Sequence, residues 1–216
     1  AQNKFLNVEK RMPAFLKKGH SSLKWSFSVM KEMVLLALPL LAVWGRTAQG
    51  FTVLIEAEAF ADRGGWSIDQ QSMDQMGSPY LLAHGLGVPV ADASTKVAIS
   101  EAGTYSVLVR TRDWIAPWQA SGAPGRFELA VNGRALDILF GTEGSAWHWQ
   151  AGGKIHLPAG IVTLTLHDLT GFEGRCDAIL LTTDDELVPP NGGAAMEAFR
   201  RQTLGLPAVA EDAGDY

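Results

Sequence analysis

The chain has 216 residues, enough for one domain of moderate size with appendages and an ample core. Apolar residues make up 47% and charged residues 19%, the balance of an ordinary globular chain and not of a disordered one. The net charge of −5 is unevenly spread: residues 1–50 hold eight Lys/Arg against two Asp/Glu, and residues 51–216 hold ten against twenty-one. A body this acidic lacks the clustered cations that a phosphate backbone requires, so nucleic acid is disfavoured as a partner.

In chain order, Met30-Lys31 is followed by the apolar run Val34–Trp44 and then by Ala48-Gln49-Gly50. The run has the length of a signal-peptide h-region, and Ala48 and Gly50 fit the small-residue positions of a signal peptidase site. It is shorter than the roughly 18–20 residues of a spanning helix. Residues 30–50 are therefore expected to be a secretory signal, with a buried or anchoring helix as the alternative. Residues 1–29 then form an upstream extension, or, with a start at Met12, a long n-region. The expected location is secreted or periplasmic, with no membrane contact after signal removal. Cys176 is the single cysteine; its apolar neighbours in GRCDAILLT predict a packed, inert thiol.

From residue 51 onward the pattern is strand and turn. FTVLIEAEAF predicts a first strand over 51–60. A Gly- and Asp-rich stretch follows, with short strands expected around 66–68 and 81–83 between Pro79 and Pro89. Clearer strands are expected at 96–99 and 105–111. In the latter, Tyr105, Val107, Val109 and Thr111 lie on one face and Ser106, Leu108 and Arg110 on the other. Asn132-Gly133 between apolar runs is a strong hairpin signal, predicting strands over 126–131 and 135–140. Further strands are expected at 154–157, 162–167 and 177–182. About eight short strands with almost no helical period predict an all-β antiparallel sandwich or jelly roll over residues 51–187. Residues 188–216 read as a linker with a short helix from about Asn191 to Leu204, its stripe formed by Met196, Phe199 and Thr203.

Candidate functional residues are aromatic. Trp114, Trp118, Trp147 and Trp149 fall at or beyond strand ends. Flat rings on a rigid scaffold stack on the C–H faces of sugars, with Asp113, Gln119, Asn132 or His148 to bond the hydroxyls. The competing reading is that they cap the core, and for Trp147-His148-Trp149 the core reading is preferred. Glu56 and Glu58, two apart on the expected strand, share a face and need exposure or a cation. Catalytic patterns are weak. His167 and Asp168 are adjacent and diverge, and no GxSxG elbow, HExxH or zinc spacing occurs. Gly85-Leu86-Gly87 lacks the strand, helix and third glycine of a dinucleotide site.

IEAEAF at the start, AGTYSVLVRTR in the middle and CDAILLT at the end together resemble the galactose-binding-like β-sandwiches, especially carbohydrate-binding modules of families 6 and 35. MDQMGSPYLLAHGLG, GRFELAVNG, FGTEGSAWHWQ and LTGFEGRCDAILLT resemble the N-terminal region of secreted bacterial FAD-dependent oxidoreductases, some of them labelled xanthan-lyase-like. The likeness spans about Val53 to Leu206 and includes RRQTLGLP. It implies a non-catalytic accessory module that recognises a polysaccharide or oligosaccharide, ahead of a flavin domain whose first Rossmann strand would begin near Tyr216. FAD would belong only to that missing downstream domain. It also implies a structural Ca²⁺ held by Glu56, Glu58 and Asp177, the bland alternative being a polar face with arginine partners. The rivals for function are a structural interdomain module that binds no sugar and a polysaccharide-active enzyme domain, which needs convergent acids in a cleft.

Overall fold

A computed structural model describes residues 50–120 and 122–207; the expected upstream extension, all but the last residue of the expected signal segment, residue 121 and the last nine residues lie outside the described residues. Among the described residues eleven strands form, all paired antiparallel. They are β1 (Thr52–Glu56), β2 (Ser67–Asp69), β3 (Tyr80–His84), β4 (Ala93–Ile99), β5 (Gly103–Thr111), β6 (Phe127–Val131), β7 (Arg134–Phe140), β8 (His148–Leu157), β9 (Gly160–Asp168), β10 (Phe172–Cys176) and β11 (Ala178–Thr182). One sheet has the order β1-β11-β5-β8, a second β4-β9-β6-β7, and a small third β10-β3-β2.

The first two sheets enclose the main core. Tyr105, Val107 and Val109 of β5 point inward as their alternation predicts, against Phe127, Leu129, Val162, Leu164 and Leu166. Trp66 sits edge-on to Phe127 at 5.5 Å. Asn132 (φ 51°) and Gly133 (φ 79°) both occupy the left-handed region, the conformation of a two-residue primed turn joining β6 to β7. A second apolar layer lies on the outer face of the first sheet. There Leu54, Ala178 and Leu180 are covered by Leu187, Trp149 and Phe199. Phe199 belongs to helix α2 (Gly193–Thr203), which follows the four-residue α1 (Met73–Met76) in the chain.

With both faces covered, every residue of β11 is buried, and it reads as a continuous apolar run with no alternation. Arg110, on the face of β5 that carries Ser106 and Leu108, is completely buried, held by Asp177 and Asn191. The first strand ends at Glu56, earlier than expected. The Ala57 N–H bonds the Asp177 carbonyl at 2.9 Å, and residues 57–59 coil into a 3₁₀ turn. Glu56 and Glu58 therefore do not share a strand face. The strand expected over 177–182 forms as β11, and the unexpected β10 just before it belongs to a different sheet.

Candidate functional site

At one end of the sandwich the β5–β6 loop is built on Asp113. Its N–H is held by the carbonyls of Glu143 and Gly144 at 2.8 and 2.9 Å, and its carboxylate accepts the Ile115 N–H at 3.2 Å. This Asx turn starts a 3₁₀ turn, Ala116–Trp118, with Pro117 near its N-terminus. Asp113 is buried and acts as a brace for the loop. Trp114 is half-buried: its indole N–H donates to the Phe172 carbonyl at 3.0 Å, and the Arg175 guanidinium lies 5.3 Å from the ring centroid. Trp118 meets Trp114 edge-to-face at 6.3 Å and is 70% exposed. Gly125 is required here, because a Cβ would come within 2.9 Å of the Trp114 ring and of the Glu173 carbonyl.

Polar groups flank the two rings. Glu173 bonds Arg175 at 2.8 Å and His84 at 3.3 Å, and holds a left-handed backbone (φ 62°) that a non-glycine residue rarely adopts. Arg112 lies in the same neighbourhood; burial and the nearby Arg175 depress its basicity. Gln119 follows Trp118 and is exposed. Leu86, Val88 and Phe172 add exposed apolar surface. The Gly85 and Gly87 N–H groups bond the Gly171 carbonyl, so this glycine pair makes a tight loop against the β9–β10 connection. Asp168 organises both loops by accepting N–H groups of Val90, Thr170 and Gly171 at 2.9–3.1 Å.

The other nominated aromatics go elsewhere. Trp147 is only 4% exposed, packs with Met76, Tyr80 and Leu82, and meets the Tyr80 ring at 4.8 Å, leaving no face for a ligand. Trp149 is part of the outer layer packed on Leu54, Ala178 and Leu180, its N–H donating to the Pro190 carbonyl at 2.9 Å. His148 is half-buried, its Nδ1 3.2 Å from the Ala146 carbonyl. Asn132 uses its side-chain oxygen on the Thr163 N–H at 2.8 Å. His167 pairs with Asp92 at 2.7 Å, and this bond raises its pKa. A shallow groove of about 370 Å³ between β7 and β8 is lined by Arg134, Leu136, Asp137, Lys154 and Ile155 and has no aromatic ring.

A second polar centre lies where β1, β5, β11 and α2 meet. Asp177 and Arg110, both wholly buried, pair at 2.9 Å, and Arg110 also reaches the Asn191 carbonyl at 2.5 Å. Ser78 donates to Asp177 at 3.0 Å and accepts from Arg200 at 2.7 Å; Arg200 also pairs with Glu56 at 2.5 Å. Burial pushes Glu58 up to about 8, helped by Glu56 and Asp177, and pushes Asp177 up to about 6 against the pull of Arg110. Of the three residues expected to cage Ca²⁺, two are engaged by the chain's own side chains, while Oε2 of Glu58 and Oε2 of Glu56 are buried without a hydrogen-bond partner. Glu56 is turned to Arg200, Asp177 is occupied by Arg110 and Ser78, and among the described residues no group of three or more His, Cys, Asp or Glu is disposed to hold a metal. Cys176, beside Asp177, is fully buried and its thiol pKa is driven up by that burial.

No known family profile and no curated protein matches the chain. Solved structures do, and they include carbohydrate-binding modules of families 35 and 6. A Podospora anserina GH26-CBM35 β-(1,4)-mannanase shares 19% identity over 64% of this chain, with a TM-score of 0.49; the present chain spans 29% of that chain. A family 35 carbohydrate-binding module from Clostridium thermocellum shares 19% identity over 60% of this chain and 98% of its own, with a TM-score of 0.48. The C-terminal family 6 module of a Zobellia galactanivorans laminarinase shares 17% over 62% and 100%, with a TM-score of 0.46. Among the described residues no helix is long and apolar enough to cross a membrane.

Proposed function

We propose that the domain is a non-catalytic accessory sandwich that binds carbohydrate at its loop end, with Trp118 as the stacking platform. The observation that carries this reading is the exposed Trp118 ring fixed edge-on to a Trp114 that is itself immobilised by Phe172 and Arg175. Rings held in place lose little entropy on binding, and each sugar C–H face they cover leaves water. Glu173, His84, Arg175 and Gln119 are the hydrogen-bonding groups that would orient the hydroxyls. The protein is proposed to be secreted and to precede a flavin-dependent oxidoreductase domain, the sugar site delivering that domain to a polymer. The test is an affinity-gel screen of the full chain against a polysaccharide panel, with Trp118→Ala alongside. Retardation by a polysaccharide that the variant loses supports the reading; passage unretarded by the whole panel overturns it.

The interdomain reading has its own support in the exposed Leu86, Val88 and Phe172 beside Trp118, an apolar surface of the kind that a neighbouring domain covers. It predicts that Trp118→Ala weakens docking of the flavin domain and leaves every polysaccharide unbound.

A further inference from the structure

Two of the carboxylates at the junction of β1 and β11, Glu56 and Asp177, are paired with arginines of the chain itself, while Oε2 of Glu56 and Oε2 of Glu58 are buried without a hydrogen-bond partner. Arg200 bonds Glu56 through Nε and Ser78 through Nη2, and Ser78 passes the contact on to Asp177. Arg110 covers the other Asp177 oxygen. A guanidinium offers five N–H donors in a plane, enough to satisfy several oxygens at once. A Ca²⁺ ion needs six to eight oxygens at about 2.3–2.6 Å, whereas here one oxygen of Glu56 and both of Asp177 already accept a hydrogen bond.

Both cations also tie down the C-terminal segment. Arg110 grips Asn191 through its carbonyl and its side-chain oxygen, at 2.5 and 3.3 Å, just before α2. Arg200 anchors α2 near its far end, with its side chain 9% exposed, and Arg200 and Arg201 in the last turn also suit the helix dipole. Between them Met196 is completely buried and Phe199 packs on the outer apolar layer.

We propose that Arg200 is the resident cation of this centre, standing where the family resemblance expects Ca²⁺, and that α2 is thereby an integral, metal-independent closure of the sandwich. The segment is a latch with a charged anchor at each end and an apolar face between. The inference does not depend on sugar binding.

The test is thermal unfolding of the full chain by circular dichroism, in EDTA and in millimolar CaCl₂. The wild-type Tm is expected to be the same in both. Arg200→Met, which keeps the stem and removes the charge, is expected to lower Tm in EDTA by roughly 10 °C. CaCl₂ should restore part of that loss, and Glu56→Gln added to Arg200→Met should abolish the restoration. Should Arg200→Met not fold, Arg200→Lys is read instead, with an intermediate Tm expected. A wild-type Tm that rises with Ca²⁺ or falls with EDTA overturns the proposal. So does an Arg200→Met Tm equal to the wild type's, or one that Ca²⁺ leaves unchanged.

Discussion

Replacing Arg110 with Met should be among the most damaging single changes in this fold, and the damage should depend on pH. Arg110 and Asp177 form a wholly buried pair at 2.9 Å. Removing one member of such a pair typically costs about 3–5 kcal/mol, because the other charge is left in a low-dielectric interior. Arg110 also leaves the Asn191 acceptors behind, which adds about 1–3 kcal/mol for lost partners. The abandoned Asp177 has an escape, since it can take a proton. Its pKa in the folded wild type is already about 6, above the ordinary 3.8. A carboxyl whose folded pKa is raised contributes stability that is fully present below its unfolded value and is lost as pH rises through the folded value. Without Arg110 the folded value rises further, so the variant's deficit should be smaller at pH 5 than at pH 8. Urea unfolding followed by tryptophan fluorescence at the two pH values measures it. A deficit of the same size at both would refute the argument that the orphaned carboxylate is the source of the loss.

Other expectations follow the same logic. Glu58, held to about 8 by burial, contributes stability that is present below its ordinary pKa and lost as pH rises through 8; Glu58→Gln should flatten the fall in urea midpoint between pH 6 and 9. Trp147→Ala should cost about 3–5 kcal/mol in urea unfolding, whereas Trp118→Ala should stay within about 0.5 kcal/mol, since only the first ring is buried. Gly125→Ala should cost about 1–3 kcal/mol by forcing Trp114 or the Glu173 carbonyl to move, and it should weaken sugar binding in the affinity gel as well.

Much of the architecture was legible because it is local. The alternation of Tyr105, Val107 and Val109 predicts their inward face, and Asn132-Gly133 predicts the turn that forms. What escaped depends on partners distant in sequence. Nothing near Arg110 announces that Asn191, some eighty residues on, meets its guanidinium, or that Asp177 pairs with it. The strand from residue 51 looked longer than it is, because the bond from Ala57 to the Asp177 carbonyl is a long-range event. The three acceptor bonds of Asp168 are made by loops, whose path no periodicity encodes. Tryptophan position favoured the core for Trp147 but left Trp118 open between platform and core, and only the covering elements make one exposed and the other buried.

The most direct test of the loop-end site is calorimetric titration of the full chain with oligosaccharides of the retained polymer, comparing wild type with Trp118→Ala and Trp149→Ala. The account predicts at least a roughly tenfold loss of affinity for Trp118→Ala, as expected when a central aromatic contact is removed, and little change for Trp149→Ala, whose ring packs on the outer apolar layer of the first sheet. Equal affinity for Trp118→Ala and wild type would contradict it.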